Sequence, residues 1–269
     1  HKNPKSQVRV GLVGKYVELK DSYKSIAEAF THAGAALETE VDVAWIHSEG
    51  ITAKNVADKR QGLDGVLVAP GFGTRGIDGK IETIRYVREA GIPFFGICLG
   101  MQCAVIEFAR NVLGLAQAHS TEIKEYTPDP VIDLMSEQKS IRNLGGTMRL
   151  GAYTCTIEPG SKAHQAYGTA EVEERHRHRY EFNNDYLELF ENAGMKATGR
   201  NPDNGLVEIV EIPAHPYFLA AQFHPEYAST VASPHPLFVS FVQAAVDHSR
   251  THPTANQSSG DLKSTERPI

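Results

Sequence analysis

The chain has 269 residues, 41% of them hydrophobic, and its 27 Lys and Arg against 33 Asp and Glu give a formal charge of -6. That is enough to bury a full core and long for a single domain. The acidic balance argues against a nucleic-acid partner, and no apolar run approaches the ~20 residues that span a bilayer, so neither nucleic acid nor membrane is expected. No secretory signal is visible, and the three cysteines, Cys98, Cys103 and Cys155, cannot all pair with one another. A reducing cytoplasm is the expected setting, with the Cys98 thiol free to react. The chain starts at His1 rather than Met and reads as a fragment or a processed product.

Val8-Arg9-Val10-Gly11-Leu12-Val13 predicts a first strand. Asp21 and Ser22 are candidate caps for a helix running to about Ala33, with Gly34 as its stop. Val41, Val43 and Trp45 alternate as a second strand does. Gly65-Val66-Leu67-Val68-Ala69 is a short buried strand ending at the turn signal Pro70-Gly71. A helix over 79–90 with Gly91 after it, a strand over 93–97 and a helix over 99–112 follow. The second half is richer in strands, expected at 131–135, 147–157, 172–182, 206–212 and 217–223, with helices at 185–192 and 237–248. The alternation predicts an α/β fold with a mostly parallel central sheet and flanking helices. Sites in such sheets form at the carboxyl ends of strands, where Pro70-Gly71 and Cys98 both fall. Residues 1–5 read as a linker remnant, 6–250 as one domain, and the polar stretch 251–269 as a disordered tail.

The residues that carry chemistry begin with Gly96-Ile97-Cys98-Leu99-Gly100-Met101-Gln102. An apolar run delivers one cysteine between two glycines at the start of a helix, the cysteine form of the nucleophile elbow. The glycines let the backbone turn tightly and keep side chains off the sulfur, and a helix N-terminus favours a thiolate. Cys103 and Cys155 read as ordinary buried cysteines. Downstream, Gln222-Phe223-His224-Pro225-Glu226 offers a base, His224, and a carboxylate, Glu226, to orient it. At alternate positions of a strand the two side chains point the same way. A Cys98-His224-Glu226 set points to acyl transfer through a thioester. The glycine-rich run Pro70-Gly71-Phe72-Gly73 lacks the Gly-Lys-Ser/Thr of a phosphate loop, and reads better as a turn whose Gly71 N–H joins that of Leu99 in an oxyanion hole. The run Glu173-Glu174-Arg175-His176-Arg177-His178-Arg179-Tyr180-Glu181 reads as a solvated strand edge, or as the source of one arginine for a substrate carboxylate; which arginine, composition does not choose. His176 and His178 have no matching ligand pair at zinc-like spacing, so no metal site is expected.

The elbow, the His-Pro-Glu segment and their order resemble the class I (triad) glutamine amidotransferases, whose architecture is flavodoxin-like. Within them, Gly145-Gly146-Thr147-Met148-Arg149-Leu150-Gly151, Ser120-Thr121-Glu122, Arg175-His176-Arg177-His178-Arg179-Tyr180 and the early Gly14-Lys15-Tyr16 are similar to the glutaminase domains of CTP synthases, over roughly residues 6–248. The resemblance implies that Cys98 attacks the side-chain amide of L-glutamine and His224 protonates the departing ammonia. It also implies that Gly71, Leu99, Gln102, Glu122 and Arg179 hold the glutamine, Glu122 at the α-ammonium and Arg179 at the α-carboxylate. The ammonia is then expected to reach a synthetase (amidoligase) domain that converts UTP to CTP with ATP and Mg, activated by GTP, in a homotetramer. No cofactor is expected in this domain itself, and no synthetase segment is visible in the chain. The family's Pro-Gly-Gly-Phe-Gly loop is here Ala69-Pro70-Gly71-Phe72-Gly73, with proline one position later; the GTP contact is expected near 72–75. Alternatives are the glutaminase of another pathway, such as GMP or carbamoyl phosphate synthesis, or a non-catalytic module of the same fold.

Overall fold

A computed structural model describes residues 4–134 and 148–252 of the chain. Most of the expected tail, part of the expected linker, and the Gly145-Gly146-Thr147 part of the motif lie outside the described residues. In chain order the elements are β1 (Ser6–Gly14), α1 (Lys24–Ala36), β2 (Thr39–His47), α2 (Val56–Arg60), β3 (Gly65–Val68), α3 (Ile77–Ala90), β4 (Phe94–Ile97) and α4 (Leu99–Asn111). They continue with β5 (His119–Ser120), β6 (Pro130–Leu134), β7 (Arg149–Ile157), α5 (Lys162–Tyr167), β8 (Glu171–His178), β9 (Tyr180–Phe182), α6 (Leu187–Ala193), β10 (Lys196–Arg200), β11 (Val207–Glu211), β12 (Phe218–Ala221) and α7 (Pro236–Thr251).

Nine strands form one sheet in the order β2-β1-β3-β4-β12-β11-β10-β7-β8. The five strands from β2 to β12 run parallel, in the flavodoxin-like order with β12 in fifth place. The remaining four continue antiparallel. β3, β4 and β12 are buried on both faces, which is why they read as continuous apolar runs, whereas the edge strand β2 is half-exposed and reads as an alternation. Their period of two divides the core: Val13, Val66, Val68 and Phe94 face α3 and α4, while Val10, Leu12, Leu67 and Phe95 face α1 and α7. Among the described residues no helix is long and apolar enough to cross a membrane.

Local signals fail in several places, each for a physical reason. Gly34 does not stop α1 but lies inside it, where a Cβ would stand 2.6 Å from the Thr39 carbonyl oxygen; it is a close-approach glycine. No side chain caps α1, because a single 3-10 turn over Lys20–Tyr23 leads into it instead. The strand expected over 172–182 is broken at Arg179 into β8 and β9, which belong to different sheets. Lys196–Arg200 and Lys162–Tyr167, with few apolar residues, gave no periodic signal and become β10 and α5 through tertiary pairing and packing.

The β3–β4–α4 junction is packed backbone against backbone. A Cβ on Gly100 would stand 2.2 Å from the Val68 carbonyl oxygen, and one on Gly96 would meet Ala220 Cβ and the Gly100 carbonyl carbon at 2.9 Å. Both neighbours of Gly100 are backbone, which cannot swing aside. Gly100→Ala is expected to destabilise the protein by about 3 kcal/mol or more, the upper end of overpacking, as read by denaturant unfolding.

Candidate active site

Cys98 occupies the turn between β4 and α4 at φ 52°, ψ -104°, a left-handed backbone that an L-residue adopts only under constraint. The constraint is visible: its N–H donates to the Ala221 carbonyl at 2.8 Å, and its own carbonyl receives the Gln102 N–H at 3.1 Å, the first bond of the helix. The residue is 4% exposed. As the first residue of α4, Leu99 carries an N–H that the helix does not use.

His224 and Glu226 reach this point from the next strand of the sheet. β12 ends at Ala221, and Pro225 opens a 3-10 turn over Pro225–Ala228. The two side chains are therefore brought together by a turn, not by strand alternation as the spacing suggested. The Nδ1 of His224 meets Glu226 Oε1 at 2.8 Å, and the ring stacks on Tyr227. The His224 N–H donates to the Arg175 carbonyl at 2.8 Å, which ties the segment to β8. Burial pulls the His224 pKa down, but hydrogen bonding and charge from Cys98 and Glu226 outweigh it and lift it to about 10. With Nδ1 on Glu226, Nε2 is the ring atom left for Cys98.

In front of Cys98 opens a cavity of about 350 Å³, a size suited to a small metabolite. Gly71, Leu99, Gln102, Glu122 and Arg179, the five residues expected to hold a ligand, all line it together with Cys98. Glu122 and Arg179 bring opposite charges to one space: burial raises the Glu122 pKa, while Lys15 and Arg179 pull it down. Gln102 is anchored, its Nε2 donating to the Tyr180 carbonyl at 3.0 Å and Gln222 Oε1 at 3.3 Å.

The sequence pattern of Glutamine amidotransferase class-I matches residues 18–244. This chain belongs to the class I glutamine amidotransferase family. CTP synthase of Flavobacterium johnsoniae is 64% identical over 246 residues, covering 91% of this chain and 46% of that protein. CTP synthase of Bacteroides thetaiotaomicron is 58% identical with the same coverage. The solved glutaminase domain of Trypanosoma brucei CTPS with bound acivicin superposes with a TM-score of 0.84 at 39% identity, covering 89% of this chain and 94% of that one. Within the family the amidotransferase thus groups with the glutaminase domains of CTP synthases. It spans about half the length of the curated relatives it matches.

Several residues of the cavity were not among the expected glutamine contacts. Phe72, Met148, Arg177, His178 and Tyr180 also line the cavity. The signal for the strand residues was the alternation of β8, in which Glu174, His176 and His178 are buried and Arg175 and Arg177 exposed, a pattern that Arg179 just after it continues. The charged run is an edge strand, as its composition suggested, but its inner face carries a buried polar network. His176 Nδ1 meets His178 Nε2 at 2.8 Å, and Arg149 Nη1 lies 2.7 Å from Glu208 and 3.6 Å from Glu181. Burial, reinforced by Arg149, pushes His176 down to about 2 and His178 to about 3, so both rings are neutral at ordinary pH. Burial lifts Glu208 to about 7 against the pull of Arg149. The two histidines bond each other and do not converge on an open position. Cys103 is buried with its pKa pushed up to about 11 by desolvation, and Cys155 is pushed up further, as inert thiols are.

Because His224 holds its proton more tightly when folded, it contributes stability that is complete below its ordinary value of 6.5 and is lost as the pH rises through about 10. Glu226→Gln removes one of the groups that raise it. The His224 ring titration, followed by NMR, is expected to move down from about 10, and an unmoved midpoint would break the pairing argued above.

Proposed function

We propose that this domain hydrolyses the side-chain amide of L-glutamine, with Cys98 as nucleophile, His224 as general acid and base, and Glu226 as the group that orients His224. The observation that carries the reading is Cys98 held on its strained elbow beside the His224–Glu226 pair, at the floor of a cavity whose rim bears Glu122 and Arg179. A glutamine placed with its α-ammonium at Glu122 and its α-carboxylate at Arg179 directs its amide toward the sulfur. Gln102 would hold the same substrate.

The thiolate sulfur attacks the amide carbon, and the carbonyl electron pair moves onto oxygen, opposite the N–H groups of Gly71 and Leu99. The tetrahedral intermediate collapses as His224 Nε2 gives its proton to the leaving nitrogen, releasing ammonia and leaving a γ-glutamyl thioester on Cys98. Water then attacks the thioester carbon while His224 takes its proton. Collapse yields glutamate and restores the thiolate beside a protonated His224.

The ammonia is proposed to pass to a synthetase domain that aminates UTP to CTP in pyrimidine nucleotide biosynthesis, in a homotetrameric cytoplasmic enzyme. Identities of 58% and 64% to CTP synthases support that pathway over those of GMP or carbamoyl phosphate. ATP and Mg serve the synthetase chemistry, and no step above runs through them. GTP, as activator, is assigned to the loop over 72–75, where the Phe72 ring is 50% exposed and Arg177 stands 5.8 Å from its centroid.

Incubation with a glutamine-mimicking diazoketone, followed by peptide mass mapping, tests the site. One adduct is expected on Cys98, absent in Cys98→Ser, blocked by excess glutamine, and absent from Cys103 and Cys155. A folded protein that takes no adduct at Cys98 defeats the reading and favours a non-catalytic module.

A further inference from the structure

Lys80 has no part in the chemistry above, yet it lies immediately beneath it. It sits in the first turn of α3 and is 0% exposed. Its Nζ donates to the Ala69 carbonyl at 2.7 Å. Among the described residues, the groups that act on its charge are the thiols of Cys103 and Cys98 and the ammonium of Lys15, and none is a carboxylate. A buried cation without a carboxylate is costly, and desolvation accordingly pulls Lys80 down to about 8. A methionine of similar length would fill the space without that cost but would leave the Ala69 carbonyl without this donor.

The carbonyl it grips is the last group before the Pro70-Gly71 turn. The Ala69 N–H is already bound to the Val13 carbonyl at 2.9 Å, so Lys80 fixes the other end of the same residue and with it the plane of the Ala69–Pro70 peptide. The proline ring locks φ of residue 70 near about -65°. One free torsion, ψ of Pro70, then separates the fixed peptide from the Gly71 N–H. Gly71 is itself flanked by the Lys15 and Leu99 side chains, 3.4 and 3.7 Å from where a Cβ would stand, and lines the cavity.

We propose that Lys80 is a positioning residue for the oxyanion hole: by holding the Ala69 carbonyl, and acting with the ring of Pro70, it aims the Gly71 N–H at the oxygen of the tetrahedral intermediate. This rests on the reading of Cys98 and Gly71 given above. It concerns a charge that forms only during reaction, so it separates transition-state binding from substrate binding.

The probe is a glutamine analogue with an aldehyde in place of the amide, which adds the Cys98 sulfur and places an oxyanion in the hole without any turnover. Lys80→Met is expected to weaken the aldehyde by at least ~10-fold, toward the ~10²-fold that loss of an oxyanion donor costs, while the Kd for glutamine stays within about two-fold. Pro70→Gly weakens the aldehyde less, and the double variant is no weaker than Lys80→Met, because both changes release the same peptide. A folded Lys80→Met that binds the aldehyde like the unaltered protein overturns the proposal, as do effects of the two changes that simply multiply. Should Lys80→Met not fold, the unaltered protein carries the test. NMR coupling through the hydrogen bond from Lys80 Nζ to the Ala69 carbonyl must be present and must persist in Pro70→Gly, whose aldehyde affinity alone falls; absence of either result overturns it. If the unaltered protein does not take the aldehyde on Cys98, the nucleophile assignment fails and this inference falls with it, an outcome distinct from the others.

Discussion

The close approach of three backbone segments around Cys98 is the constraint on which the rest of the site depends. Gly100 lies against the Val68 carbonyl and Gly96 against Ala220, so α4 and the ends of β3, β4 and β12 meet with no room for side chains. That crowding, with the Ala221 hydrogen bond, holds Cys98 at its left-handed φ. It also sets the ends of β3 and β12 on either side of the sulfur. The chain leaving β3 becomes the Pro70-Gly71 turn, and the chain leaving β12 becomes the His224–Glu226 turn. One packing event thereby fixes the relative places of Cys98, Gly71 and His224.

The cavity wall that includes Arg177 and Arg179 is built on a different principle. β8 is an edge strand, so its outward face presents Arg175 and Arg177, and Arg179 follows at the break before β9. Its inward face is polar rather than apolar, and is held by Arg149, Glu208, Glu181 and the two neutral histidines. Buried ion pairs of this kind add little to stability when complete but cost about 3–5 kcal/mol when one partner is removed. Their effect here is to hold the wall in one register. The same strand supplies the Arg175 carbonyl that binds the His224 backbone, so this wall and the His224 turn are tied together.

How far the sequence was legible depended on the range of the forces involved. The elbow could be read because glycine, cysteine and glycine at fixed spacing answer a local steric demand that tertiary packing then met. The inner parallel strands could be read because burial on both faces writes itself as an apolar run. Gly34 was misread because its reason is a carbonyl five residues away across a turn, not the end of its own helix. The break at Arg179 was missed because no glycine or proline marks it, and the chain there simply passes from one sheet to another.

The sequence by itself determined the α/β class, the strained cysteine, the candidate partners and, through similarity in specific segments, the family. Each of these is written in side-chain type and near spacing, which local sterics and burial translate directly. The tertiary structure brings Glu122 and Arg179, 57 positions apart in sequence, into one cavity with Cys98, a convergence the family resemblance implied but no local pattern showed. It alone decided that His224 and Glu226 meet through a 3-10 turn, and that a lysine in the first turn of α3 ends bound to the Ala69 carbonyl beside the Pro70-Gly71 turn. Those facts depend on strand order, and strand order is set by long-range pairing whose partners, β4 with β12 and β7 with β10, no local pattern names.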